Sequence, residues 1–132
     1  MHYINSPIEQ GVILNRYPTE IATNVEHNIV YHSPTGFEWG YNGSGPTELS
    51  LNLAELVVQK AKLVTPNGVH CTELAWHAKH AIKELLVSLA PEKGALIPWK
   101  LVCYAVMDAL KDTDYEKPNR ARLQKYVDKL SR

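Results

Sequence analysis

The spacing of apolar residues along this 132-residue chain changes near residue 45. Up to Tyr41 they come in short groups separated by turn chemistry: Asn5-Ser6-Pro7, Tyr17-Pro18, Asn24 and Ser33-Pro34-Thr35-Gly36. Such grouping predicts strands. The clearest are Asn28 to His32 and Phe37 to Tyr41, which the Ser-Pro-Thr-Gly turn would join as a hairpin. In the second, Phe37, Trp39 and Tyr41 alternate with Glu38 and Gly40, so a period of two sets the aromatics on one face, expected to be core. Tyr3 to Asn5, Val12 to Arg16 and Glu20 to Val25 are weaker strand patterns.

From Pro46 the period is helical. Pro46 suits the first helical position, where a missing N–H costs nothing, and Glu48 in the first turn would complement the helix dipole. Glu48, Asn52, Glu55, Gln59 and Lys62 form one narrow polar stripe, and leucines, valines and alanines fill most of the remaining circumference. So wide an apolar arc must be covered on more than one side, which predicts that this helix is the centre of the fold. Thr65-Pro66-Asn67-Gly68 ends it. A second helix is predicted from about Thr72 to Ala90, with Leu74, Ala78, Ala81, Ile82, Leu85, Leu86 and Leu89 on one face. A third begins near Ile97-Pro98, and a fourth, from about Asn119, carries a basic outer face. The expected fold is α+β in one domain over 1–132, with a small N-terminal antiparallel sheet packed on three to four helices: residues 1–45 mainly strands and turns, 46–132 helical.

Composition adds little until it is divided along the chain. Apolar residues make up 45% and charged residues 21%, as in an ordinary folded domain. Fourteen basic residues balance fourteen acidic ones, which disfavours a nucleic-acid partner. The balance is not local, however: six of the basic residues follow Glu116 and face only Asp128. Opposed charge of this kind suits self-association or a partner of mixed charge. No run reaches the ~18 apolar residues that cross a bilayer, and Met1 to Glu9 has no basic segment leading into an apolar one, so a cytoplasmic location is expected.

The run from Ser33 to Leu53 contains Gly36-Phe37-Glu38-Trp39-Gly40-Tyr41 and Gly43-Ser44-Gly45-Pro46 ahead of a leucine-spaced helix. It resembles the signature of a domain-of-unknown-function family, number 6166, found in bacteria and their phages. The resemblance implies a small bacterial or phage cytoplasmic domain. It brings with it no activity and no catalytic residues.

Five groups of residues could carry chemistry or binding. The turn Gly40, Gly43, Ser44, Gly45 before a helix could hold an anion through backbone N–H groups, but Pro46 removes a donor and Glu48 brings a carboxylate; positive φ and close packing explain the glycines more simply. Glu73, His77, His80 and Glu84 share one stripe beside His70 and Cys71, which could hold zinc, yet no metal-binding framework is present and i,i+4 pairs account for the spacing. Cys71 beside His70 could be a nucleophile, without a surrounding catalytic motif. Arg120, Arg122 and Lys125 belong to a basic face suited to protein contact. Trp39, Tyr41 and Trp76 belong to a Trp- and Tyr-rich set of the kind that anchors interfaces, with Trp76 at the border of an apolar face. Neither a catalytic set, a metal site nor a cofactor is expected. The preferred reading is a non-enzymatic protein-interaction domain of phage or mobile-element type, a candidate inhibitor of a host defence complex. The alternative is a small enzyme or a ligand- or anion-binding domain using the Gly40 to Pro46 turn with His70 and Cys71.

Overall fold

The weaker strand patterns are the ones that pair. A computed structural model describes residues 1–16, 20–68 and 72–130; Tyr17, Pro18, His70 and Cys71, named above, lie outside them, as does Arg132, the last of the six basic residues after Glu116. The elements are β1 (His2–Tyr3), a 3-10 turn (Ile8–Gln10), β2 (Val12–Arg16), β3 (Ile21–Thr23), α1 (Ser44–Lys60), α2 (Thr72–Ile82), a π-helical turn continuing it (Lys83–Val87), β4 (Gly94–Ile97), α3 (Trp99–Leu110) and α4 (Glu116–Leu130). The architecture is α+β, as expected, but the sheet is mixed rather than antiparallel. Its order is β1-β3-β2-β4, with β1 parallel to β3 and the other pairs antiparallel. The fourth strand comes from within the span expected to be wholly helical, and Val12 and Leu14 pair with Ile97 and Ala95.

The predicted hairpin does not form. Asn28 to His32 and Phe37 to Tyr41 lie outside strands, because side chains of α1 take the place of a neighbouring strand. Asn52 Oδ1 accepts the N–H groups of Asn28 (3.0 Å) and Ile29 (2.9 Å), and its Nδ2 donates to the Ile29 carbonyl (3.0 Å). Farther along, Trp39 Nε1 donates to the Pro91 and Glu92 carbonyls and Gly40 N donates to the Val87 carbonyl. Alternation therefore places Phe37 and Trp39 in the core, 1% exposed each, but Tyr41 lies outside it, 51% exposed.

α1 runs through the centre of the core, with Leu49, Leu53, Ala54, Val57 and Val58 fully buried. The first part of its polar stripe is buried too: Glu48, Asn52 and Glu55 are covered, whereas Gln59 and Lys62 are exposed. The helix starts at Ser44 with Gly43 as its N-cap, so Glu48 is beyond the first turn and does not serve the helix dipole as predicted. Two more asparagines repeat the arrangement of Asn52. Asn24 accepts from Ile13 N and donates to the Gly11 carbonyl, and Asn119 accepts from Val64 N and donates to the carbonyls of Val64 and Tyr115. Each satisfies backbone groups of irregular chain that would otherwise be buried unpaired.

The π turn changes which leucines are buried. A regular helix would place Leu85, Leu86 and Leu89 below Ala78 and Ile82. In the π turn Ser88 N bonds the Lys83 carbonyl five residues back, so one additional residue is accommodated. The buried sequence runs Leu74, Ala78, Ile82, Val87, and Leu85 and Leu89 rotate outward to 51% and 72% exposure.

Candidate functional site: an aromatic and basic face over α2

Glu48 shapes the surface beside α2. Its carboxylate accepts the N–H groups of Tyr31 (3.0 Å), His32 (2.8 Å) and Ser33 (3.2 Å), and His27 Nε2 lies 2.8 Å from Oε2. Burial alone would raise the carboxyl pKa; the hydrogen bonds from His32, His27, Tyr31 and Ser33 outweigh it and hold the group below the usual carboxylate range. The result is a loop that turns Tyr31 outward, 69% exposed, against Trp76 of α2.

Tyr31 and Trp76 meet edge to face, with ring centroids 4.6 Å apart and planes at 82°. His32 stacks on the same indole at 5.2 Å, and its Nε2 is buried with no hydrogen-bond partner among the described residues. Beneath Trp76, which is 39% exposed, lies Lys79, only 2% exposed. Its Nζ sits 3.8 Å from the indole centroid, donates to the Trp76 carbonyl at 3.0 Å and is 3.3 Å from His80 Nε2. One turn on, Lys83 Nζ donates to Thr47 Oγ1 at 3.3 Å. Among the described residues, no carboxylate forms an ion pair with Lys79 or Lys83. Desolvation and the Lys83 charge push the Lys79 ammonium pKa down, and desolvation, then Lys79 and Lys83, push the His80 imidazole down, with Glu84 opposing.

Of the residues singled out from sequence, Trp76 and His80 belong to this face. Trp39 is core and out of reach of a partner; the Arg16 guanidinium lies 4.8 Å over its ring and makes a two-pronged bond to Glu38. The glycine turn has structural duties. Gly40 (φ +85°) packs close to the Ala90 carbonyl, Gly43 caps α1, and Gly45 is buried against Glu38, where a Cβ would come within 2.6 Å of that side chain. Ser44 is exposed at the start of α1, and both Thr47 N and Oγ1 are already bonded to the Gly43 carbonyl. The basic residues of α4 are dispersed: Arg120 lines a groove of about 370 Å³ with Tyr104, Met107 and Leu123, Arg122 donates to the Lys62 carbonyl, and Lys125 lies beside Asp128 and Lys129. On the histidine stripe, Glu73 accepts from the Tyr115 hydroxyl and His77 Nε2 lies 2.9 Å from the Ala109 carbonyl. Among the described residues no three His, Cys, Asp or Glu side chains form a metal-ligating group. Cys103 is buried with its thiol pKa pushed up to about 12, the opposite of an activated nucleophile.

Sequence reasoning placed Tyr31 in the Trp- and Tyr-rich set without singling it out, and missed His32, Lys79 and Lys83. A signal for the last two was present: like charges at i,i+4 on a helix are unfavourable, and Lys79 falls four residues after Ala75 and three before Ile82, on the flank of the apolar face.

No described helix is long and apolar enough to cross a membrane. No curated protein and no solved structure matches the chain. A family model does match, over residues 8–85, a span that contains β2, β3, the Glu48-held loop, α1 and every residue of the aromatic and basic face. The chain thus belongs to DUF6166, a family of unknown function.

Proposed function

We propose that the protein is a non-enzymatic protein-binding domain whose partner docks on Tyr31 and Trp76. The observation that supports this reading is the edge-to-face Tyr31–Trp76 pair, exposed on both sides while Trp39 and Trp99 are buried. Tyr and Trp displayed in this way offer large contact area while keeping a polar end for hydrogen bonding, the chemistry of interface anchors. In a phage or mobile-element setting, such a domain would act as a stoichiometric inhibitor, with a host defence complex as its target.

Quantitative affinity capture with purified wild-type protein, Trp76→Ala and Leu101→Ala tests this. Leu101 is 44% exposed on α3 and serves as a surface control. A stoichiometric partner is expected with wild type and Leu101→Ala and is expected to be lost, at least tenfold, with Trp76→Ala; because the indole also packs on Tyr31, His32 and Lys79, the thermal midpoint of this variant is measured to establish that it is folded at the capture temperature. Retention of the partner by Trp76→Ala would overturn the assignment of this face.

A further inference from the structure

We infer that the basic cluster beneath Trp76 is a carboxylate-binding site, and that the segment docking there is an acidic peptide of the partner protein; this rests on the docking face proposed above. The inference starts from an imbalance. Lys79 and Lys83 are one helical turn apart, Lys79 is 2% exposed, and His80 lies against Lys79, yet no ion pair among the described residues neutralises either lysine. Burying an ammonium without an anion is costly, and a second ammonium beside it adds repulsion. Buried Glu48 is committed to His27 and the backbone of Tyr31, His32 and Ser33, and exposed Glu84, which acts on His80 through space, makes no ion pair with either lysine.

The accessible members of the cluster define what can relieve this. Lys83 is half-buried and, among the described residues, donates only to the Thr47 hydroxyl, and His80 is exposed, so both can meet an incoming carboxylate directly. Lys79 contributes from behind the indole as an unneutralised charge in a region of low dielectric, where its attraction for an anion is little screened. The π turn starts at Lys83, and such turns recur at functional sites. Trp76 and Tyr31 flank the cluster on its outer side, so a peptide with a Glu or Asp beside an apolar residue matches both halves of the face.

The probe is hexaglutamate, with hexaglutamine and inorganic phosphate as comparison arms, titrated into ¹⁵N-labelled full-length protein at ~20 mM salt to limit screening. Saturable shifts are expected in the Lys79, His80 and Lys83 amides and the Trp76 indole N–H with hexaglutamate, none with hexaglutamine, and at least tenfold weaker effects with phosphate. Lys83→Gln should weaken hexaglutamate binding about tenfold or more. Lys79→Met should do the same while raising the thermal midpoint, because it removes a buried charge, so loss of binding there cannot be loss of folding. Unchanged affinity in both variants, or phosphate binding as tightly as hexaglutamate, would overturn the acidic-peptide site. A failed titration with partner capture still dependent on Trp76 would leave the docking face standing without its carboxylate chemistry. A successful titration with capture independent of Trp76 would overturn the peptide partner and the docking face together.

Discussion

Glu48→Ala is expected to lower the unfolding free energy by ~3–5 kcal/mol, the range found when one partner of a buried charged network is removed. Three backbone N–H groups, those of Tyr31, His32 and Ser33, lose their acceptor at once, and His27 loses its partner. An orphaned donor costs ~1–3 kcal/mol where water cannot replace the bond, and the loop can recover part of this by opening. Glu48→Gln keeps one carbonyl oxygen and should cost less. It also separates charge from geometry. Because the folded state holds the Glu48 carboxyl below its ordinary value of 4.5, its contribution is present above that pH and is lost as pH falls through the folded value. Urea denaturation of wild type between pH 7 and pH 3 should therefore show a fall in stability that is smaller in Glu48→Gln. A Glu48→Ala variant within ~1 kcal/mol of wild type at pH 7 would mean that the loop does not depend on the carboxylate.

The second large effect is expected at Gly94. This residue begins β4 with φ at +141°, a conformation that residues with a Cβ rarely adopt, and a Cβ there would collide with the Leu14 carbonyl of β2. Gly94→Ala must move the strand away from its partner, which breaks the pairing of Asn15 with Gly94 and then of Leu14 with Ala95. Backbone strain of this type alone costs ~1–3 kcal/mol, and the lost pairing adds to it. Gly68→Ala is the matched control: its φ is +79°, but open space surrounds its Cβ position, so it carries conformational strain without collision. Thermal unfolding should show a clearly larger drop for Gly94→Ala than for Gly68→Ala. Equal drops would show that close approach to β2 is unimportant.

Both positions explain how far the sequence could be read. The helices were legible because the alternation of apolar and polar residues at a period near 3.6 survives whatever packs against them, and α1 was recognisable as central from its wide apolar arc. The sheet was only partly legible. Val12 to Arg16 pairs as expected, whereas the aromatic alternation at Phe37 to Tyr41 imitates a strand; period two reports which side of an extended chain is buried, not whether a neighbour completes the ladder. Gly94 to Ile97 is short and lies between two helices, so its partner, Val12 to Asn15 near the other end of the chain, leaves no local mark. Leu85 and Leu89 were read as core because a π turn cannot be seen in a 3.6-residue pattern. In the site, Trp76 was visible as an aromatic at the edge of an apolar face. Tyr31 was not, since its exposure depends on Glu48, whose polar stripe reads as solvent-facing until the loop is laid over it.

The side-chain bonds that replace a ladder between α1 and residues 28–33 bear on the timing of recognition. Asn52 and Glu48 project from the most deeply buried helix, so the amides of Asn28, Ile29, Tyr31, His32 and Ser33 can open only when the loop detaches from that helix. In deuterated solvent these five amides should exchange about as slowly as those in the middle of α1, although none lies in a strand or helix. A loop with helix-like protection has surrendered its conformational freedom at folding rather than at binding. Under the docking on Tyr31 proposed above, association would proceed with little ordering cost and little change of shape.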